Sequence, residues 1–105
     1  FGDINLVVVT DTHSWIDGHK HPDHTPTSDT TYGSLVSFVY HLRVAASILG
    51  YDVFFFDNGD CVDGTGLSNA TPNDGEKLFP ILKNIPFDAL NIGNHELYLN
   101  STIMA

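Results

Sequence analysis

Residues 53–66 read VFFFDNGDCVDGTG, and the fold turns on this stretch. Val53–Phe56 is an uninterrupted apolar run that stops abruptly at Asp57-Asn58-Gly59-Asp60. Such a pattern predicts a buried strand that delivers acids at its C-terminal end. Two carboxylates, Asp60 and Asp63, follow among glycines. In an open α/β sheet this end of a strand is where ligands bind, which makes Asp60 the first candidate for the centre of a metal site.

Two segments further out have the same form. Ile4–Thr10 (INLVVVT) is β-branched and continuously apolar, and it runs into Asp11-Thr12-His13. That composition predicts a strand buried on both faces. Phe87–Ile92 (FDALNI) predicts a third strand, ending in Gly93-Asn94-His95-Glu96. Between the first two, residues 33–49 place Leu35, Val36, Val39, Leu42, Ala45, Ala46 and Leu49 near a helical period. Ser34 is the expected N-cap of that helix and Gly50 its stop. Residues 75–84 predict a short helix, and residues 97–105 the start of another. Residues 14–31 are polar, carry Pro22, Pro26, His19, His21 and His24, and predict a long loop. The order strand–helix–strand–helix–strand implies an α/β fold, βαβαβ, with mostly parallel strands and right-handed crossovers.

Bulk composition narrows the functional classes. The chain has 105 residues, 42% hydrophobic and 16% charged, which is globular and no more than one small domain. Four Lys+Arg against 13 Asp+Glu give a net charge of −9. That balance lacks the basic footprint of a nucleic-acid binder, and it repels phosphorylated substrates unless cations reverse the local sign. One cysteine, Cys61, excludes an internal disulfide. No apolar run approaches the roughly 20 residues of a membrane span. Phe1 is not a starting Met and no leader peptide is recognisable, so a processed or trimmed N-terminus is expected. Two Asn-x-Thr sequons, at Asn69 and Asn100, are no more than this composition gives by chance.

Each expected strand stops at a cluster of potential metal ligands: Asp11/His13, Asp60/Asp63, and Asn94/His95. Parallel strands bring their C-terminal ends to one rim, so clusters distant in sequence meet in space. The donor types suit two divalent cations, with a carboxylate able to bridge them. Two such ions can clamp a phosphate and activate water, while His95 supplies a proton to the leaving group. Each cluster taken alone is as readily an acidic turn or a surface histidine; it is the set of three that argues for a site.

The ordered set Asp11-Thr12-His13, Gly59-Asp60-Cys61-Val62-Asp63 and Gly93-Asn94-His95-Glu96 resembles the D-x-H, G-D-x-x-D and G-N-H-[DE] signatures of the calcineurin-like metallophosphoesterases. The stretches FFFDNGDCVDGTG and NIGNHE are most similar to the 5′-nucleotidase-type branch. The resemblance implies the N-terminal half of an α/β/β/α sandwich, with residues 1–105 an incomplete portion of one catalytic domain whose remainder lies on a further segment or chain. It implies that Asp11 and His13 bind a first metal, that Asp60 bridges two, and that Asn94 binds the second. His95 becomes the general acid, oriented by Asp63. The cofactors would be two divalent ions among Zn, Mn, Fe, Mg and Co, and the substrate a small phosphorylated molecule, a nucleotide first. The implied activity is a phosphomonoesterase of the 5′-nucleotidase type. The alternatives are a nucleotide phosphodiesterase or pyrophosphatase, or a non-catalytic metal-stabilised module.

The sequence departs from the family at two places. Gly64 follows Asp63 where the phosphoprotein phosphatases carry an Arg, which argues against that activity. No histidine follows His95, whereas the family closes its site with downstream histidines. The branch points to a secreted or lumenal compartment, with the cytoplasm as the alternative. Among the remaining residues, His19, His21 and His24 are expected to be solvated loop histidines, with a substrate contact as the second reading for His19. His41 is expected to be structural. Acidic neighbours raise a thiol pKa rather than activate it, so Cys61 is expected to be a buried filler.

Overall fold

The computed structural model describes residues 1–20, 26–28, 30–63 and 67–98. In chain order the elements are β1 (Ile4–Val9), β2 (His19–Lys20), β3 (Pro26–Ser28), α1 (Tyr32–Leu49), β4 (Asp52–Asp57), α2 (Leu78–Leu82) and β5 (Ala89–Leu90), followed by one 3-10 turn at His95–Leu97. The sheet order is β1-β4-β5, and both pairings are parallel. β1 and β4 match residue for residue from Ile4↔Asp52 to Val9↔Asp57, and Asp57 lies opposite Leu90 of β5. This is the expected α/β arrangement, and it brings the C-terminal ends of the three strands to one edge.

α1 is the crossover from β1 to β4. Its N-terminus is a capping box: Thr31 Oγ1 accepts from Ser34 N at 3.2 Å, and Ser34 Oγ accepts from Thr31 N at 3.5 Å. The helix therefore begins a turn earlier than expected, with Thr31 as the cap and Ser34 as its reciprocal partner. Gly50 ends it in the left-handed conformation, φ 75°, as expected. α2 is shorter than the 75–84 pattern. Pro80 falls in its first turn, where a missing N–H costs nothing. β5 is also shorter than expected. Asp88 Oδ2 takes the N–H of Phe55 at 2.7 Å, so a side chain replaces the ladder where a longer strand would continue. The same carboxylate pairs with Arg43 of α1 at 2.6 Å.

Two expectations are corrected. Part of the 14–31 loop is an antiparallel hairpin, β2 on β3, with His19 opposite Ser28. His21 and His24 lie outside the described residues, as does the tail from residue 99. β1 is not buried on both faces: Ile4, Leu6 and Val8 are 68%, 61% and 55% exposed. α1 covers only the opposite face, where Val39, Ala46 and Phe55 are buried. By length and apolar composition alone, α1 would suffice to cross a membrane. Here it packs on β4 as the crossover helix.

A second core forms beneath the loop after β4. Cys61, Val62, Leu78 and Leu82 are its buried members, with Ile16, Tyr32, Phe79, Ile85 and Phe87 around them. This core anchors the segment that carries the acids.

The open face of β1 and β4, where Phe54 stacks beside Phe56 at 6.2 Å, is a contiguous apolar surface of the kind that drives association. Residues 1–105 expressed by themselves should self-associate, as read by light scattering after size exclusion. A monodisperse monomer that unfolds cooperatively would contradict this.

Candidate metal centre

The loops after β1 and β4 are zipped together by backbone hydrogen bonds. Asp11 N donates to Gly59 O at 3.0 Å, His13 N to Asp60 O at 3.0 Å, and Ser14 N to Cys61 O at 2.7 Å. The geometry demands unusual backbone. Asp11, His13, Ser14, Asp60 and Asp63 all have positive φ, between 44° and 70°, and every one lies in these two loops. Such conformations cost of order 1–3 kcal/mol each and gather at functional sites.

The third loop presses against the second. A Cβ on Gly93 would lie 2.1 Å from Asp60 Oδ1 and 2.5 Å from Asp60 N, so only glycine fits. Gly59 faces it: a Cβ there would meet Gly93 N at 2.4 Å. Across this contact His95 N donates to Asp60 Oδ1 at 2.9 Å.

The result is a compact donor set. One ligand atom from each of His13, Asp60 and His95 lies within 4.8 Å of the others. The two imidazoles meet edge to face, centroids 4.7 Å apart. His13 Nδ1 sits 3.0 Å from Val62 O and 3.2 Å from Asp63 O. Carbonyl partners require a proton on Nδ1, which leaves the lone pair of a neutral ring on Nε2. His95 Nδ1 is 2.9 Å from Asp63 Oδ2, which fixes its tautomer in the same sense. That hydrogen bond, with the negative charges of Asp60, Asp63 and Glu96, raises the His95 pKa above its ordinary value.

Of the residues singled out from sequence, His13, Asp60 and His95 come together directly, and Asp63 joins them through His95. Asp11 is held at the same rim by its backbone, but its exposed carboxylate, bonded to Thr10 Oγ1, is outside the three-residue group. Asn94 adjoins His95 and donates its amide to the Tyr98 hydroxyl. His95, expected to deliver a proton, sits among the donors themselves. His19 packs on Trp15, centroids 4.6 Å apart, and is not one of the three donors. His41 hydrogen-bonds Ser37 O within α1. Cys61 is 1% exposed, and burial, reinforced by Asp57, pushes its thiol pKa far up.

Sequence reasoning left Glu96 without a role. Its carboxylate is buried and accepts from Gly93 N (2.7 Å), Asp60 N (2.8 Å), Cys61 N (2.6 Å) and Val62 N (3.2 Å). Burial alone would raise its pKa; the four N–H donors outweigh that and lower it. The available signal was an acid three residues after a turn glycine, the spacing of a side chain that reaches back to a backbone N–H.

Imidazole and carboxylate donors gathered on the C-terminal edge of a parallel sheet define the class: an α/β protein with a group of side chains that could hold a metal ion. The family model for calcineurin-like phosphoesterase matches residues 4–104, and the chain belongs to that family. The structure is similar to the 5′-nucleotidase from Candida albicans, with a TM-score of 0.89 and 40% identity over 99% of this chain and 19% of that one. A protein of Arthroderma benhamiae described as secreted is 39% identical over 94% of this chain and 14% of its own length. An uncharacterized protein of Saccharomyces cerevisiae is 40% identical over 92% of this chain and 16% of its own. The chain thus spans under a fifth of the length of the relatives it matches.

Two outcomes follow from the geometry. Gly93→Ala should displace the Asp60 carboxylate and cost the full-length protein at least tenfold in Mn²⁺ affinity, as at other tightly supported metal sites where lost support costs about 10–100-fold. Calorimetric titration with Mn²⁺ checks it. In metal-free protein, Asp63→Asn should bring the His95 pKa down toward its ordinary value, because the partner that favours the protonated ring is gone. An NMR titration of the ring protons that shows no downward movement would contradict the assignment.

Proposed function

We propose that residues 1–105 are the N-terminal portion of the catalytic domain of a divalent-metal-dependent phosphoester hydrolase. Its reaction is phosphomonoester hydrolysis on nucleotides, of the 5′-nucleotidase type. The observation that carries the reading is the convergence of His13, Asp60 and His95 at the strand edge. Membership of the phosphoesterase family and the likeness to the Candida nucleotidase support it.

The donor chemistry fits cations of the Mn, Fe or Zn kind, for which imidazole and carboxylate are ordinary ligands. In this reading Asp11 and His13 would hold one ion, Asp60 would serve both, and Asn94 would hold the second through its amide oxygen. With Nδ1 of His13 bonded to carbonyl oxygens, the neutral ring would offer Nε2 as a ligand atom, which supports this reading. Two bound divalent cations would supply positive charge for the phosphoryl oxygens and lower the pKa of water. They would also reverse the repulsion of a phosphate by a chain of net charge −9. His95 is the proton donor to the leaving alkoxide. Asp63 holds the ring by Nδ1 and stabilises the protonated form, leaving Nε2 for the transfer. The remaining ligands and the nucleoside pocket lie on a further segment of the domain. The secreted relative supports a secreted or lumenal location for this protein as well.

Elemental analysis of the full-length protein, with phosphate release measured over AMP, dinucleotides and pyrophosphates, tests the reading. Release from AMP with two bound metals per molecule is expected. Preference for diesters or pyrophosphates would reassign the substrate, and bound metal without hydrolysis of any of them would indicate a non-catalytic module. Asp60→Asn should abolish tight binding of both ions. His95→Ala should keep metal and cut turnover by roughly 10²–10⁴. Unchanged turnover in His95→Ala would remove its assigned role.

A further inference from the structure

We infer that Glu96 is a positioning residue of the metal centre, setting its affinity for divalent cations by clamping Asp60. This rests on the metal reading above. Glu96 is 8% exposed, and both of its oxygens are occupied: Oε1 by Cys61 N and Val62 N, Oε2 by Asp60 N and Gly93 N. With its lone pairs directed at backbone donors, it does not act as a ligand.

It acts through Asp60 instead. Asp60 sits at φ 55°, a conformation that persists only where its surroundings over-determine it. Glu96 grips its amide at 2.8 Å. The neighbouring residue, His95, grips its carboxylate at 2.9 Å through the backbone N–H. Both bonds come from one short turn, so backbone and side chain of Asp60 are registered against the same element. A full negative charge is the acceptor suited to four converging N–H groups, since charge-assisted bonds are shorter and about twice as strong as neutral ones. Glutamine presents one oxygen and an NH₂ that would point donor to donor at two of them.

The test uses full-length protein and Mn²⁺ as the probe. Glu96→Gln should weaken Mn²⁺ binding by roughly 10–100-fold by calorimetric titration, the range for loss of a ligand's supporting partner. In metal-free protein, amide hydrogen exchange in peptides covering residues 60–62 and 93 should accelerate. Glu96→Asp keeps the charge on a shorter arm and should recover part of the affinity. If Glu96→Gln does not fold, Glu96→Asp is compared with wild type directly, and weakened binding is expected there too. A folded Glu96→Gln protein, or failing that a Glu96→Asp protein, with wild-type Mn²⁺ affinity overturns the role of Glu96 while leaving the metal centre intact. Wild-type protein that takes up no Mn²⁺ overturns the proposed function itself, and this inference with it.

Discussion

Asp60 is held at three points, and the rim of the sheet depends on that grip. Its N–H goes to Glu96, its carbonyl accepts from His13, and its carboxylate accepts from His95. His13 comes from the loop after β1, and Glu96 and His95 from the one turn after β5, so Asp60 ties the loops after β1, β4 and β5 together. The tie is made at a left-handed backbone position, which glycine would occupy more cheaply. An aspartate there is explained by what its side chain does. The two glycines packed back to back, Gly59 and Gly93, are the steric condition for that approach.

The electrostatics are consistent with this arrangement. Asp57, Asp60, Asp63 and Glu96 crowd a small volume in a chain that is acidic overall. Two of the acids are accommodated internally, though by different means. Glu96 is surrounded by N–H dipoles and remains charged. Asp57, buried and receiving the N–H of Gly59, has its pKa raised, chiefly by desolvation. Asp60 and Asp63 face the histidines. Positive charge is scarce on this rim, and divalent ions are the chemistry that would complete it.

Much of this was legible in the sequence because it is locally encoded. An apolar run that stops at Asp-Asn-Gly-Asp, Asp-Thr-His or Gly-Asn-His announces both a strand and its functional end. The order of the runs then gave parallel strands. What escaped was non-local. The exposure of Ile4, Leu6 and Val8 depends on which layers pack on the sheet, and no period in INLVVVT reports that. The start of α1 was misplaced because a serine, not the usual glutamate, completes the capping box at Thr31. The shortness of β5 follows from one side chain, Asp88, bonding a strand amide. Glu96 went unassigned because its partners are main-chain groups, three of them more than thirty residues away, and main chain leaves no mark in a sequence.

Cys61 adjoins Asp60, yet it is chemically quiet. Sealed beneath the loop with Val62, Leu78 and Leu82, its thiol pKa is pushed up by burial, and only the thiolate attacks disulfides or oxidants. The same burial that shapes the floor of the rim therefore gives immunity to thiol exchange.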